Sequence, residues 1–130
     1  MSERNEFDIY FNFNDEDHYL TESLSQYMRD KGLRTFDRSV DQIPDQPEFA
    51  ISEADALARS KMMIAVLTEN SCDDASFRDM TARARALDKP VTVLRFDDSL
   101  VPSYLTGYTI IETSRKSFAD ALNRISGTIL

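Results

Sequence analysis

The side chains of this chain that could do chemistry are few. Asp15-Glu16-Asp17 sets three carboxylates in a row, directly followed by His18, and Cys72 lies past the middle of the chain. These are the sole histidine and the sole cysteine. Adjacent acids suit acid–base or phosphoryl chemistry, but they also suit the positive end of a helix, where carboxylates stabilise exposed N–H groups. A zinc centre needs clustered His, Cys or carboxylate ligands, so one histidine and one cysteine argue against any metal. A Ser or Cys nucleophile with a His base is equally unsupported. His18 reads as a first-turn helix residue near solvent. Cys72 has no basic neighbour in sequence to lower its pKa and reads as a plain loop cysteine.

Composition narrows the classes further. The chain has 130 residues, 42% apolar and 29% charged, which suits one globular domain and argues against disorder. Its net charge of −8 disfavours nucleic acid and anionic membrane as partners. The one dense basic cluster is Arg78, Arg83 and Arg85. A lone cysteine cannot form an internal disulfide and fits a reducing, cytoplasmic setting. Met1–Glu6 is polar and reads as a tail, with no signal peptide visible, and residues 7–130 read as one domain. No apolar run approaches the ~20 residues of a membrane span.

The elements that must position these groups are organised around Met62–Leu67, six apolar residues without alternation. A half-buried strand alternates, so this run reads as a strand covered on both faces, the mark of a central parallel strand. Phe7–Phe13 is aromatic and β-branched and predicts a first strand. Asn14 or Asp15 caps a helix over Glu16–Lys31, stopped by Gly32. Leu33–Asp37 predicts a short strand. Arg38–Pro47, with two prolines and two aspartates, predicts a long ordered loop. A helix runs from Glu48 to Ser60, and another starts at Asp73-Asp74 or Ser76 with Phe77, Met80, Ala84 and Leu87 on its apolar side. Pro90–Arg95 and Tyr108–Ile111 predict two more strands, with a loop or short helix over Asp97–Leu105 between them. A closing helix carries Phe118, Ala121, Leu122 and Ile125.

Strands alternating with helices predict parallel pairing through right-handed crossovers: a three-layer α/β sandwich with helices on both faces of the sheet. The expected arrangement is a flavodoxin-like five-stranded parallel sheet of order 2-1-3-4-5, with ligands bound beyond the carboxyl ends of strands 1 and 3. A response-regulator receiver would need an Asp closing strand 3, where this chain has Thr68-Glu69. A flavodoxin would need a Ser/Thr/Gly-rich phosphate loop after strand 1, and Asn14-Asp15-Glu16-Asp17 would repel phosphate. With three glycines in all, no Gly-rich phosphate cradle exists.

In chain order, the remaining motifs resemble a TIR (Toll/interleukin-1 receptor) domain, of the bacterial type. Phe7–Asn14 with Asp17 resembles the family's first box, Asp-Val-Phe-Ile-Ser-Tyr-Ser followed by Asp. Gly32–Arg38 is similar to the Gly-x-x-Val-Phe-x-Asp stretch leading into the BB loop. Ala54–Ser60 and Met62–Asn70 resemble the Ala-Ile-x-x-Ser helix end, the core strand and the Ser-Glu-Asn after it. Lys89–Val93 resembles the opening of the fourth strand. The match spans nearly the whole chain. Two departures stand out. The BB loop has Pro44-Asp45 where the family usually has Pro-Gly. In the third helix, NAD-cleaving members carry a Glu in a Trp-x-x-x-Glu-like stretch; here Phe77 stands for the Trp, and Met80 or Thr81 for the Glu. Asp79 is the nearest acid, and at ~100° per residue it points to a different face unless the helix register slips.

The resemblance implies two functions. The first is signalling by homotypic or heterotypic association with other TIR domains, through the BB loop (Arg38, Ile43, Pro44, Asp45) and the third helix. The second is an NAD⁺ hydrolase or cyclase in bacterial immune or virulence signalling, with NAD⁺ as substrate and no resident cofactor. Asp79 would then replace the Glu as the catalytic carboxylate, and Asn12, Phe13 and Asn14 would line the nucleotide pocket.

Overall fold

The computed structural model describes residues 7–37 and 52–129. Among them, five strands form one parallel sheet of order β2-β1-β3-β4-β5, the flavodoxin-like order expected from the sequence. The strands are β1 (Phe7–Asn12), β2 (Thr35–Phe36), β3 (Ser60–Leu67), β4 (Val91–Arg95) and β5 (Thr109–Glu112). The helices are α1 (His18–Asp30), α2 (Glu53–Ala58), α3 (Ala75–Ala86) and α4 (Phe118–Ile129). Single 3₁₀ turns cover Asp15–Asp17 and Ser103–Leu105.

The pleat of β3 explains its unbroken apolar run. Met62, Ile64 and Val66 join Ile9 and Phe11 of β1 under α1 and α4, whose Leu24, Met28, Leu122 and Ile125 close that layer. Met63, Ala65 and Leu67 face the other way with Tyr10 and Phe36, beneath Leu57 of α2 and Phe77 and Ala84 of α3. Alternate residues therefore serve two cores, and neither face is left for polar groups.

Helix ends follow the local chemistry. Asn14 Oδ1 accepts the Glu16 amide at 2.8 Å and opens the 3₁₀ turn that precedes α1. Gly32 ends the turn after α1 with φ +89°, a left-handed conformation that favours glycine. Ser52 caps α2 by accepting the Asp55 amide at 3.1 Å. Asp74 caps α3, accepting the amides of Ser76 at 2.8 Å and Phe77 at 3.3 Å.

Some boundaries differ from the sequence reading. β3 begins at Ser60, two residues early, because its polar entry is satisfied locally: the Ser60 hydroxyl donates to the Ala56 carbonyl at 2.7 Å and Lys61 pairs with Asp8 at 3.0 Å. The second helix accordingly ends at Ala58, not Ser60. β2 is two residues long, shorter than Leu33–Asp37, and β5 runs one residue later than expected. The Arg38–Pro47 loop and the first residues of the expected Glu48–Ser60 helix lie outside the described residues.

Candidate functional site

A cleft of about 750 Å³ opens at the carboxyl end of β1, where chain order reverses across the sheet. One wall is Asn12, Phe13 and Asn14; the opposite wall is Ser76, Asp79, Met80 and Arg83 of α3. These four positions follow the i, i+3, i+4, i+7 spacing of one helix stripe, so they share a face. Phe77, Thr81 and Ala84 occupy the neighbouring stripe and are buried against the sheet.

Between those stripes sits a closed set of hydrogen bonds. Asn12, at the end of β1 and 1% exposed, donates its amide to the Phe77 carbonyl at 2.9 Å and to the Thr81 hydroxyl at 3.2 Å. Thr81 donates in turn to the same Phe77 carbonyl at 2.9 Å. Burial demands such pairing, since an unmet amide or hydroxyl here would carry its full desolvation cost. The result is a bolt from β1 to α3 at the base of the cleft. A second tie runs from the Asn14 amide to the Asp74 carboxylate at 2.8 Å, joining the β1 exit to the α3 cap.

The rim is acidic. Asp15, Glu53, Asp73, Asp74 and Asp79 border the cleft, and among the described residues that line it Arg83 is the cation. Tyr10 donates its hydroxyl to Glu53 Oε1 at 3.0 Å, drawing the first turn of α2 towards β1. Behind the rim, Asp17 is 1% exposed and joins several loops. It accepts the Thr68 hydroxyl at 2.6 Å and the Asn70 amide at 3.0 Å, with Arg115 at 3.7 Å. Asn70 itself borders the cleft.

The structure brings Asn12, Phe13, Asn14 and Asp79 to this one cleft. The Asn12 amide is already committed to α3, and Phe13 is buried within the α1–α4 core layer. Asp79 is well exposed, with Arg78 at 3.9 Å. It shares the cleft stripe with Met80, whereas Thr81 turns to the sheet. The helix needs no slip for this, because Asp79 and Met80 are successive members of a broad face. Arg38, Ile43, Pro44 and Asp45 lie outside the described residues.

The sequence reading does not place Glu53 or Arg83 in the cleft. For Glu53 the available signal was Ser52-Glu53-Ala54-Asp55, a capping pattern that starts the helix at Glu53 and swings its first turn over the β1 end. For Arg83 it was the i+7 spacing from Ser76. His18 sits at the surface with Nδ1 2.8 Å from the Asp15 carbonyl, and Cys72 directs its thiol to the Glu69 carbonyl at 3.3 Å. Among the described residues no cluster of His, Cys, Asp and Glu is arranged to hold a metal, and no helix is long and apolar enough to cross a membrane.

No family model and no curated protein matches the sequence. Solved structures do resemble the fold. The TIR domain of the Toll-related receptor TRR-2 from Hydra magnipapillata superposes with a TM-score of 0.73 at 17% identity, over 94% of this chain and 96% of that one. A 2-deoxyribosyltransferase from Bacillus psychrosaccharolyticus gives 0.73 at 19% identity, over 94% and 95%. The CMP N-glycosidase of Clostridium botulinum gives 0.57 at 15%, over 91% and 98%. Likeness at these identities establishes a shared fold, one common to TIR domains and to proteins named for nucleoside chemistry.

Proposed function

We propose that this chain is a TIR-type signalling domain that works in the cytosol by association with other TIR domains, copies of itself included. The observation that carries this reading is the Asn12–Thr81–Phe77 bolt. The α3 positions corresponding to the Glu of NAD-cleaving members hold Met80 and Thr81. One is a thioether, and the other is a hydroxyl spent on holding β1 to α3. Neither supplies the negative charge that would hold ribose hydroxyls and stabilise an oxocarbenium-like centre as nicotinamide departs. The acidic rim adds to the argument, since a pyrophosphate meets repulsion from carboxylates within a few ångströms. The TIR-domain likeness and the sequence boxes supply the family side of the reading.

A second reading is cleavage of the nicotinamide–ribose bond of NAD⁺ with Asp79 as the carboxylate. It is favoured by Asp79 lying in the cleft together with Asn14 and Glu53. Two of the similar structures are, by name, a 2-deoxyribosyltransferase and an N-glycosidase.

Purified protein incubated with NAD⁺ at high concentration and followed by liquid chromatography separates the two. The association reading expects no nicotinamide release, together with concentration-dependent association in sedimentation or capture of TIR domains. Release that disappears in Asp79→Ala would overturn it in favour of the hydrolase.

A further inference from the structure

Beside α3, on the face away from the cleft, runs a second groove of about 530 Å³. Its walls are Ala82 and Ala86 on α3 and Tyr104 and Thr106 on the segment after β4, with Arg78 and Arg85 at its edges. Arg85 is held in place: it donates to the Tyr104 carbonyl at 3.1 Å and its guanidinium lies 4.8 Å from the centre of the Tyr108 ring. Small side chains leave room in the floor, and the two guanidiniums favour an acidic visitor in a chain whose net charge is −8.

The chain just ahead of the groove's Ser103 carries an exposed apolar pair. Leu100 is 85% exposed and Val101 37% exposed, just after the exposed acid Asp98. The loop holding them is braced. Asp97 accepts the amides of Glu69 at 2.9 Å and Ser99 at 3.0 Å, while Arg95 donates twice to the Ser99 carbonyl, at 3.0 and 2.6 Å. An apolar tip displayed by a stiff loop loses little entropy on docking. Ser103, three residues after Leu100, lines the groove, so tip and groove lie within ~10 Å along the chain. A surface carrying both a projection and its complement is what a two-fold dimer requires, because each copy then offers the same patch to the other.

We propose that this face seats a second copy of the chain, each copy inserting Leu100 into the other's Ala82–Ala86 groove while Asp98 meets the partner copy's Arg78. The proposal rests on the association reading above and names its surface. A foreign TIR domain and a small ligand are the competing occupants.

Sedimentation of the full chain across a wide concentration range tests it. Wild type is expected to dimerise, and Leu100→Asp, at a site too exposed to affect folding, to weaken the dimer by tenfold or more. Arg78→Glu alone and Asp98→Arg alone are each expected to sediment as weaker dimers. Mixed together they should restore the wild-type dimer, since both charge pairs are then complementary. A dimer indifferent to Leu100→Asp and to both charge variants would overturn this interface and leave association standing. A monomer that still captures other TIR domains would overturn the second-copy assignment alone. A monomer that captures none would overturn the association reading as well.

Discussion

Asn12 and Thr81 are 69 residues apart in sequence, yet the Asn12 amide meets the Thr81 hydroxyl at 3.2 Å. That contact decides what the base of the cleft is for. A side chain held between a strand end and a helix backbone is a structural tie, and it leaves the chemistry to whatever stands on the neighbouring stripe.

Truncating the tie should therefore register in stability. Asn12→Ala removes a buried amide and leaves a gap between β1 and α3, with an expected loss of about 2–3 kcal/mol. Thr81→Val keeps the shape and loses the hydroxyl, with an expected loss of about 1 kcal/mol. Urea unfolding of the two variants gives both numbers, and equal losses would contradict the geometry.

Asp74 is expected to matter twice. As the α3 cap it accepts two helix amides, and it also accepts the Asn14 amide. Asp74→Ala should cost about 1–2 kcal/mol, at the upper end of the range for a lost cap because Asn14 loses its partner too. Asp74→Asn, which keeps an acceptor, should recover most of that in thermal melts.

Acid should act through Asp8. Burial pushes its carboxyl up, but the Arg34 amide at 2.8 Å, the Arg34 guanidinium at 3.4 Å and the Lys61 ammonium at 3.0 Å outweigh burial and hold the pKa below its ordinary 3.8. A depressed carboxylate contributes stability that is complete above the unfolded-state value and fades as pH falls through the folded one. Asp8→Asn should thus be less stable than wild type by about 1–2 kcal/mol at pH 7. The gap should hold steady from pH 8 to pH 5 and close below pH 3.8. Melts across that range check both the size and the window.

Tyr104 makes the opposite kind of prediction. Its hydroxyl is buried without a hydrogen-bond partner among the described residues, and burial pushes its pKa up to about 12. Tyr104→Phe removes a polar atom that is paying desolvation, so stability should stay level or rise by up to about 1 kcal/mol. Alkaline absorbance titration should lose a tyrosine step near pH 12 in the variant.

The core was readable because it was periodic. Met62–Leu67 declared a strand covered on both sides, and its flanking elements declared the alternation that forces a parallel sheet. The polar ends were harder. Ser60 and Lys61 look like turn residues until Ala56 and Asp8, one turn back and one strand across, are known to satisfy them. Cleft membership was legible where it followed a strand end, as at Asn12–Asn14. It was obscured at Glu53, which reaches the cleft because Tyr10, 43 residues away, receives it there. One-dimensional patterns carry period and capping, but not which distant hydroxyl a carboxylate will meet.

The strand order also governs how the chain can be made. Emerging from a ribosome, β1 finds only the two-residue β2 to pair with until Ser60–Leu67 has been synthesised. For that interval the sticky Phe7–Asn12 strand has one open edge, and α1 is at hand for its Ile9 and Phe11 face while its Tyr10 face still waits for α3, the state most exposed to wrong pairing with a neighbouring nascent chain. Slowing translation within the stretch before Ser60 should lengthen that exposure, whereas slowing it after Leu67 should do far less harm.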